Sequence, residues 1–193
     1  ALIAKPSTIN PKSEHPYYIL NEDWFGHDNG SINKISEKGK ITYRTYREAN
    51  SGEKLGITSQ YGACFGENFY IMSKQDNRLV VANKNTLKKV AVFQEIGGDG
   101  RAFVGINKDK AYFSTSEGVR VLNLATNTLG NTVAGDKGVS IPEIGNMVFA
   151  GKYVFGAGQK KIYVIDTEKD ILVKVLDINN PGSVVKAFDG SVW

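Results

Sequence analysis

Lys161-Ile162-Tyr163-Val164-Ile165-Asp166, running into Thr167-Glu168-Lys169-Asp170, decides the fold. A short run of β-branched and aromatic residues closed by Asp and a polar stretch reads as a strand and a tight turn. The same phrase occurs twice upstream. Arg78-Leu79-Val80-Val81-Ala82-Asn83 leads into Lys84-Asn85-Thr86-Leu87, and Arg120-Val121-Leu122-Asn123-Leu124 leads into Ala125-Thr126-Asn127-Thr128-Leu129. A degenerate copy, Ser31-Ile32-Asn33-Lys34-Ile35, precedes Ser36-Glu37-Lys38-Gly39. With Ile32, Leu79, Val121 and Ile162 as marks, the copies stand 47, 42 and 41 residues apart. That is the length of one β-propeller blade.

Working outward from each mark, every repeat reads as four short strands. In the clearest one they are Tyr61 to Phe65, Phe69 to Met72, Arg78 to Asn83 and Leu87 to Phe93. No apolar stripe at helical spacing extends over ten or more residues. The fold class is therefore all-β: a β-propeller of four-stranded antiparallel blades. A solenoid of hairpins is the alternative, but its coils are usually shorter than these repeats. The blades are expected over about 15–56, 57–100, 101–138 and 139–183, with the start of another at 184–193 and an extended or mobile segment at 1–14. The chain enters at Tyr17-Tyr18-Ile19-Leu20, which aligns with a second strand. It ends with a strand at Val184 to Phe188, a turn at Asp189-Gly190, and the beginning of a strand at Ser191-Val192-Trp193. Both ends lead to the expectation of a fragment of a longer propeller, whose first blade takes its inner strand from beyond the C-terminus.

Bulk composition agrees with a packed domain. Of the 193 residues 41% are hydrophobic and 23% charged, which excludes a disordered chain. The net charge of +4 comes mostly from Lys scattered among acids. No basic block points to nucleic acid, and none is expected as a partner. The single cysteine, Cys64, excludes an intramolecular disulfide and is expected to pack as a small buried hydrophobe. No stretch reads as a transmembrane helix.

Strand parity places the function. Successive antiparallel strands alternate direction, so first-to-second and third-to-fourth turns share one face. The other connections share the opposite face. The first group is tight, as at Gly66-Glu67-Asn68, Asn107-Lys108-Asp109 and Gly151-Lys152. The second group is long, at 21–30, 47–60, 94–101, 134–145 and 179–183. Binding residues usually ride on loops held by a rigid scaffold, so the site is expected on the long-loop face. Trp24, Phe25 and His27 share one loop there. Tyr61 and Arg101 begin inner strands near the central channel. Arg47, Asn50, Asp99, Glu143, Gln159 and Asn180 supply polar groups. The expected ligand-binding set is Trp24, Phe25, His27, Asn50, Tyr61, Arg101 and Gln159, arranged as apolar plates with a few placed polar groups.

Catalysis finds little support. His15 and His27 are the two histidines, and no Gly-x-Ser-x-Gly elbow exists. Three Cys and His residues in all are too few for structural zinc. Gly97-Gly98-Asp99-Gly100 and Gly156-Ala157-Gly158-Gln159 read as turns, without the strand–loop–helix grammar of phosphate loops. Asp28-Asn29-Gly30 and Asp99 offer oxygen ligands to calcium, but without the calcium-loop spacing. Neither a metal nor a cofactor is expected. Two other classes stay open. One is a protein-interaction platform in the cell envelope. The other is a lyase-type enzyme using Asp23, Glu95, Asp99 or Glu143.

Tyr163-Val164-Ile165-Asp166-Thr167 resembles the repeat of YncE-like and surface-layer propellers. Ile19-Leu20-Asn21-Glu22 with Asn29-Gly30-Ser31, Leu55-Gly56, Arg101-Ala102-Phe103-Val104 and Ala111-Tyr112-Phe113 are similar to exported propellers of gut bacteria, among them the BtuG-like cobalamin-binding surface lipoproteins. The resemblance covers Tyr17 to Trp193. It implies that the chain is a fragment of a seven- or eight-bladed propeller, a non-enzymatic binding protein that captures a bulky small molecule, cobalamin or another corrinoid, for uptake. It also implies an exported protein at the outer-membrane surface or in the periplasm, a TonB-dependent outer-membrane transporter as partner, and membrane attachment only through a lipid anchor absent from this chain.

Overall fold

The computed structural model describes residues 16–23 and 27–193. Strands β1 (Tyr17–Asn21), β2 (Ser31–Ile35) and β3 (Ile41–Thr42) form a three-stranded sheet. A short helix, α1 (Thr45–Ala49), follows. Three four-stranded sheets come next, each in chain order. They are β4 (Ser59–Phe65) to β7 (Lys89–Phe93), with β5 (Asn68–Ser73) and β6 (Arg78–Asn83); β8 (Gly100–Asn107) to β11 (Thr128–Thr132), with β9 (Lys110–Thr115) and β10 (Gly118–Asn123); and β12 (Asn146–Ala150) to β15 (Ile171–Asp177), with β13 (Tyr153–Ala157) and β14 (Lys161–Asp166). Every pairing within these sheets is antiparallel. These are β-propeller blades, numbered one to four below. Among the described residues blade one has three strands, β1 to β3. After β15 the chain forms a small hairpin: the Val185 N–H donates to the Trp193 carbonyl and the Trp193 N–H to that of Val185, both at 2.9 Å.

The middle strands explain the stacking. In β5, Phe69 and Ile71 belong to a core shared with Ile32 of blade one, while Tyr70 and Met72 belong to a core shared with Phe103 and Phe113 of blade three. In β9, Ala111 and Phe113 turn to blade two, and Tyr112 joins Met147, Val154 and Ile165 of blade four. Alternate side chains of one strand thus serve two neighbouring blades. Such strands read as continuous apolar runs rather than alternating ones, because both faces are covered.

The turns after β6, β10 and β14 are built the same way. Asn83 Oδ1 accepts the N–H groups of Asn85 and Thr86, both at 3.0 Å. Asn123 Oδ1 does so for Ala125 and Thr126, and Asp166 Oδ1 for Glu168 and Lys169. The repeated Asn or Asp that marks the sequence motif is an Asx turn, which reverses the chain locally. Asp166 adds a 3.0 Å ion pair with Lys152 of the neighbouring turn.

Close approach between blades fixes small residues. A Cβ on Gly105 of β8 would lie 2.1 Å from the Phe65 ring of β4. The rings of Phe65 and Phe103 sit 6.4 Å apart, and Tyr70 stacks on Phe103 at 4.2 Å. Cys64 departs from expectation: it is exposed, not buried. On β4 the exposed positions Gln60, Gly62 and Cys64 alternate with the half-buried Tyr61, Ala63 and Phe65 that pack toward blade three. The exposed row faces blade one, where no inner strand is found among the described residues. On β8 the corresponding row carries Phe103, which blade two covers.

Gly105→Ala is expected to cost about 1–3 kcal/mol through overpacking against Phe65, measured as a lower urea midpoint with unchanged slope. Asp166 carries a second expectation. The hydrogen bond from Lys152, followed by the backbone N–H groups of the turn, holds its carboxyl below the usual carboxylate value despite an opposing desolvation effect. A lowered folded-state pKa stabilises the fold above the unfolded value of about 4 and is lost as pH falls through the folded value. Asp166→Asn keeps the turn, as Asn83 and Asn123 do. It should therefore lose less stability than wild type between neutral and acid pH in urea titrations, and Asp166→Ala should be the least stable at neutral pH.

Candidate functional site

The long connections lie on one face, as parity requires. There the connector 133–145 descends from blade three to blade four and meets the turn 158–160 between β13 and β14. Between them opens a cleft of about 560 Å³, lined by Ser116, Pro142, Glu143, Gln159, Lys160, Lys161 and Tyr163. A smaller hollow of about 270 Å³ adjoins it, sharing Glu143 and Gln159 and reaching Asn180, Pro181 and Gly182. The volume of the larger cleft falls in the range of small-molecule sites.

Each wall has a structural reason. Tyr163 belongs to the core between blades three and four, so its ring is held by packing and borders the cleft floor. Gly158 lies against it: a Cβ there would stand 3.0 Å from the ring. The Gly158 N–H donates to the Lys161 carbonyl at 3.0 Å, which closes the turn that presents Gln159 and Lys160. Arg101, at the start of β8, donates through Nη2 to Glu143 Oε2 at 3.1 Å and lies 3.7 Å from Asp99. Its side chain is mostly buried and its Nε has no hydrogen-bond partner among the described residues. The guanidinium thus ties the blade-four connector to blade three and holds the Glu143 carboxylate at the cleft mouth. Lys161 pairs with Asp177 at 3.1 Å. Apolar walls from Tyr163 and Pro142, an amide, ammonium groups and an anchored carboxylate suit a ligand rich in amide, hydroxyl or carboxylate groups.

The residues expected from sequence divide. Gln159 lines the cleft, Arg101 bonds to its Glu143 without lining it, and Asn180 lines the adjoining hollow. His27 lies elsewhere on the loop face, in a hollow of about 160 Å³ with Asp28, Asn29, Lys54 and Ile57. Beside it, Asp28 accepts from Arg47 and Lys54 at 2.9 Å each, with Arg44 at 3.6 Å. The Arg47 hydrogen bond, then that of Lys54, drives the Asp28 carboxyl well below the carboxylate range. That carboxylate is taken up by cations. Among the described residues no cluster of His, Cys, Asp and Glu is arranged to hold a metal. Trp24 and Phe25 lie outside the described residues.

Two expected residues are structural props. Asn50 caps α1 at the outer rim. Its Nδ2 donates to the Tyr46 and Leu87 carbonyls at 2.7 and 2.8 Å, and its Oδ1 accepts the Lys89 N–H at 2.8 Å. All its polar capacity is spent fastening the helix to the outer strand of blade two. Tyr61 points into the junction of blades two and three, where its hydroxyl donates to the Phe103 carbonyl at 3.2 Å. Sequence reading missed Tyr163, Pro142, Ser116 and Lys160. Tyr163 gave no signal of its own, since it sits inside the most regular strand of the repeat.

Residues 15–193 match the family described as a domain of unknown function, DUF5074. The chain belongs to the DUF5074 family. No curated protein matches it. Among solved structures, it is similar to the hydrazine synthase of Kuenenia stuttgartiensis at 14% identity and a TM-score of 0.65, covering 83% of this chain and 47% of that one. It is similar to the WD40 β-propeller domain of Doa1 at 12% identity and a TM-score of 0.59, covering 83% and 55%. The computationally designed Ika4 protein matches at 14% identity and a TM-score of 0.51, covering 68% and 86%. This DUF5074 chain spans about half the length of the first two. At such identities the likeness is one of fold.

Asn50→Ala should lower stability by about 1–3 kcal/mol, because it strands buried backbone groups. Gln159→Ala, on the open turn of the cleft, should stay within about 0.5 kcal/mol of wild type. Urea midpoints of the two variants check the division into prop and site.

Proposed function

We propose that this DUF5074 protein is a non-enzymatic binding propeller that holds a bulky small molecule on its long-loop face, in the cleft between blades three and four. The observation that carries the reading is that Glu143, held by Arg101, and Gln159 line one cleft of about 560 Å³ together with the packed ring of Tyr163. Binding sites combine such apolar walls with a few convergent polar groups. A propeller supplies them on connectors whose ends are fixed by the sheets. The pairing of Glu143 with Arg101 supports a carboxylate that positions a ligand rather than one that moves protons.

The candidate ligand is a corrinoid such as cobalamin, whose rim of amide side chains matches an amide, ammonium groups and a carboxylate around apolar walls. The corresponding role is capture at the outer-membrane surface or in the periplasm for delivery to a TonB-dependent transporter. Calorimetric titration with cyanocobalamin tests it. Saturable binding at one site per chain is expected, weakened at least tenfold by Tyr163→Ala and by Gln159→Ala. Glu143→Gln should weaken binding with no associated turnover. Absence of heat and of co-elution on a sizing column contradicts the corrinoid assignment. Binding that both cleft variants leave intact contradicts the cleft.

A further inference from the structure

Blades two, three and four differ at one position of their third strands. Val80, Arg120 and Tyr163 each stand three residues before the Asx residue of their strand, and pair with Ile71, Phe113 and Gly156. Val80 is buried in the apolar core shared with blade one. Tyr163 packs toward blade three and borders the cleft. Arg120 shares its face with Phe113 and Leu122, which pack toward blade two. It lines a hollow of about 190 Å³, where the connector 94–99 crosses blade three, together with Gly97, Thr115, Glu117, Gly118 and Thr132. The walls are fixed locally. Thr115 Oγ1 donates to the Gly97 carbonyl at 2.6 Å and accepts the Glu117 N–H at 3.1 Å. The Ser116 N–H donates to the Asp99 carbonyl at 2.9 Å. Gly118 stands where the other two blades carry Arg78 and Lys161, so no long side chain enters from that position. Two charges line this hollow without neutralising each other. Arg44, Arg47, Arg78 and Arg101 each lie within 4 Å of a carboxylate. Among the described residues Arg120 has no such partner, and Glu117 has no cation that close. A β-bulge between Arg120 and Leu122 brings the Gly130 carbonyl to Arg120 Nε at 2.9 Å. Bulges re-aim side chains in this way. The guanidinium is anchored through Nε, and its Nη groups make no hydrogen bond among the described residues.

We propose that this hollow binds a small zwitterionic α-amino acid, its carboxylate on the Nη groups of Arg120 and its ammonium on Glu117. A carboxylate takes two parallel hydrogen bonds from such a fork. Opposite charges set apart in one hollow favour a molecule that carries both. A simple carboxylate leaves Glu117 unpaired, and a simple amine leaves Arg120 unpaired. Thr132, opposite Arg120 on β11, offers a hydroxyl beside the guanidinium. The space suits a side chain no larger than that of threonine. One strand position thus gives three junctions different characters: filled at Val80, charged at Arg120, aromatic and open at Tyr163. The hollow and the cleft share no lining residue, since Ser116 borders the cleft while Thr115 and Glu117 border the hollow. The amino-acid site is therefore independent of the corrinoid reading.

Calorimetric titration of the purified protein with glycine, L-alanine, L-serine and L-threonine tests the proposal, with acetate and ethylamine as half-probes. The expected result is saturable binding of at least one of the four amino acids at one site per chain, at least tenfold tighter than either half-probe. Arg120→Val, which matches the residue type at Val80, should weaken it at least tenfold with unchanged far-ultraviolet dichroism. Glu117→Gln, at an exposed position, should also weaken it and bring the affinity down toward that of acetate. Tyr163→Ala, in the cleft, should leave it unchanged. Failure of all four amino acids to bind overturns the proposal. So does acetate binding as tightly as the amino acid, or binding that Arg120→Val and Glu117→Gln leave intact. Loss of binding on Tyr163→Ala places the ligand in the cleft and overturns it as well.

Discussion

The structure depends on strands that are buried on both faces at once. Phe69 and Ile71 serve one neighbour while Tyr70 and Met72, one residue over, serve the other. No blade has a core of its own; the cores lie between blades. The consequence is mutual dependence: Phe103 is buried only because blade two stands against it, and Cys64, which faces blade one where no inner strand is found among the described residues, is exposed. Rigid stacking of this kind fixes the ends of the connectors, and the cleft is made of two such ends brought together. Arg101 strengthens that geometry by spanning from the first residues of blade three to the connector of blade four.

The fold was legible because its grammar is local. The strand-plus-Asx phrase at Asn83, Asn123 and Asp166 recurs once in each of blades two, three and four, and its chemistry acts within three residues. Strand parity then assigns faces without coordinates. The candidate site was half legible for the same reason. Arg101, Glu143, Gln159 and Asn180 could be placed on one face from parity. Which of the face residues meet is decided by blade-to-blade spacing, which no pattern along the chain records.

The misplacements have physical causes. Asn50 was read as a loop residue, whereas it caps a single-turn helix whose Tyr46 plugs the junction of blades one and two. A five-residue helix has no periodic signature, and its stability is tertiary. Burial of that Tyr46 hydroxyl pushes its pKa up to about 12. Tyr61 was read as facing the channel. Its position on the face that carries Phe65 turns it instead toward blade three, a difference of one residue in register that inverts every side chain of a strand. Asp28, which the sequence shows only as an oxygen donor, is surrounded by three cations from the following connector.

The account stands or falls on whether the cleft between blades three and four is where this propeller takes its ligand. A nuclear magnetic resonance screen of small polar and aromatic fragments against the isotopically labelled protein tests that most directly, because it presumes no ligand. The account predicts that amide shifts cluster at Ser116, Glu143, Gln159, Lys160 and Tyr163 for most binding fragments, and that Tyr163→Ala abolishes them. Shifts that gather instead on the tight-turn face or around His27 and Lys54, with the cleft silent, would contradict it.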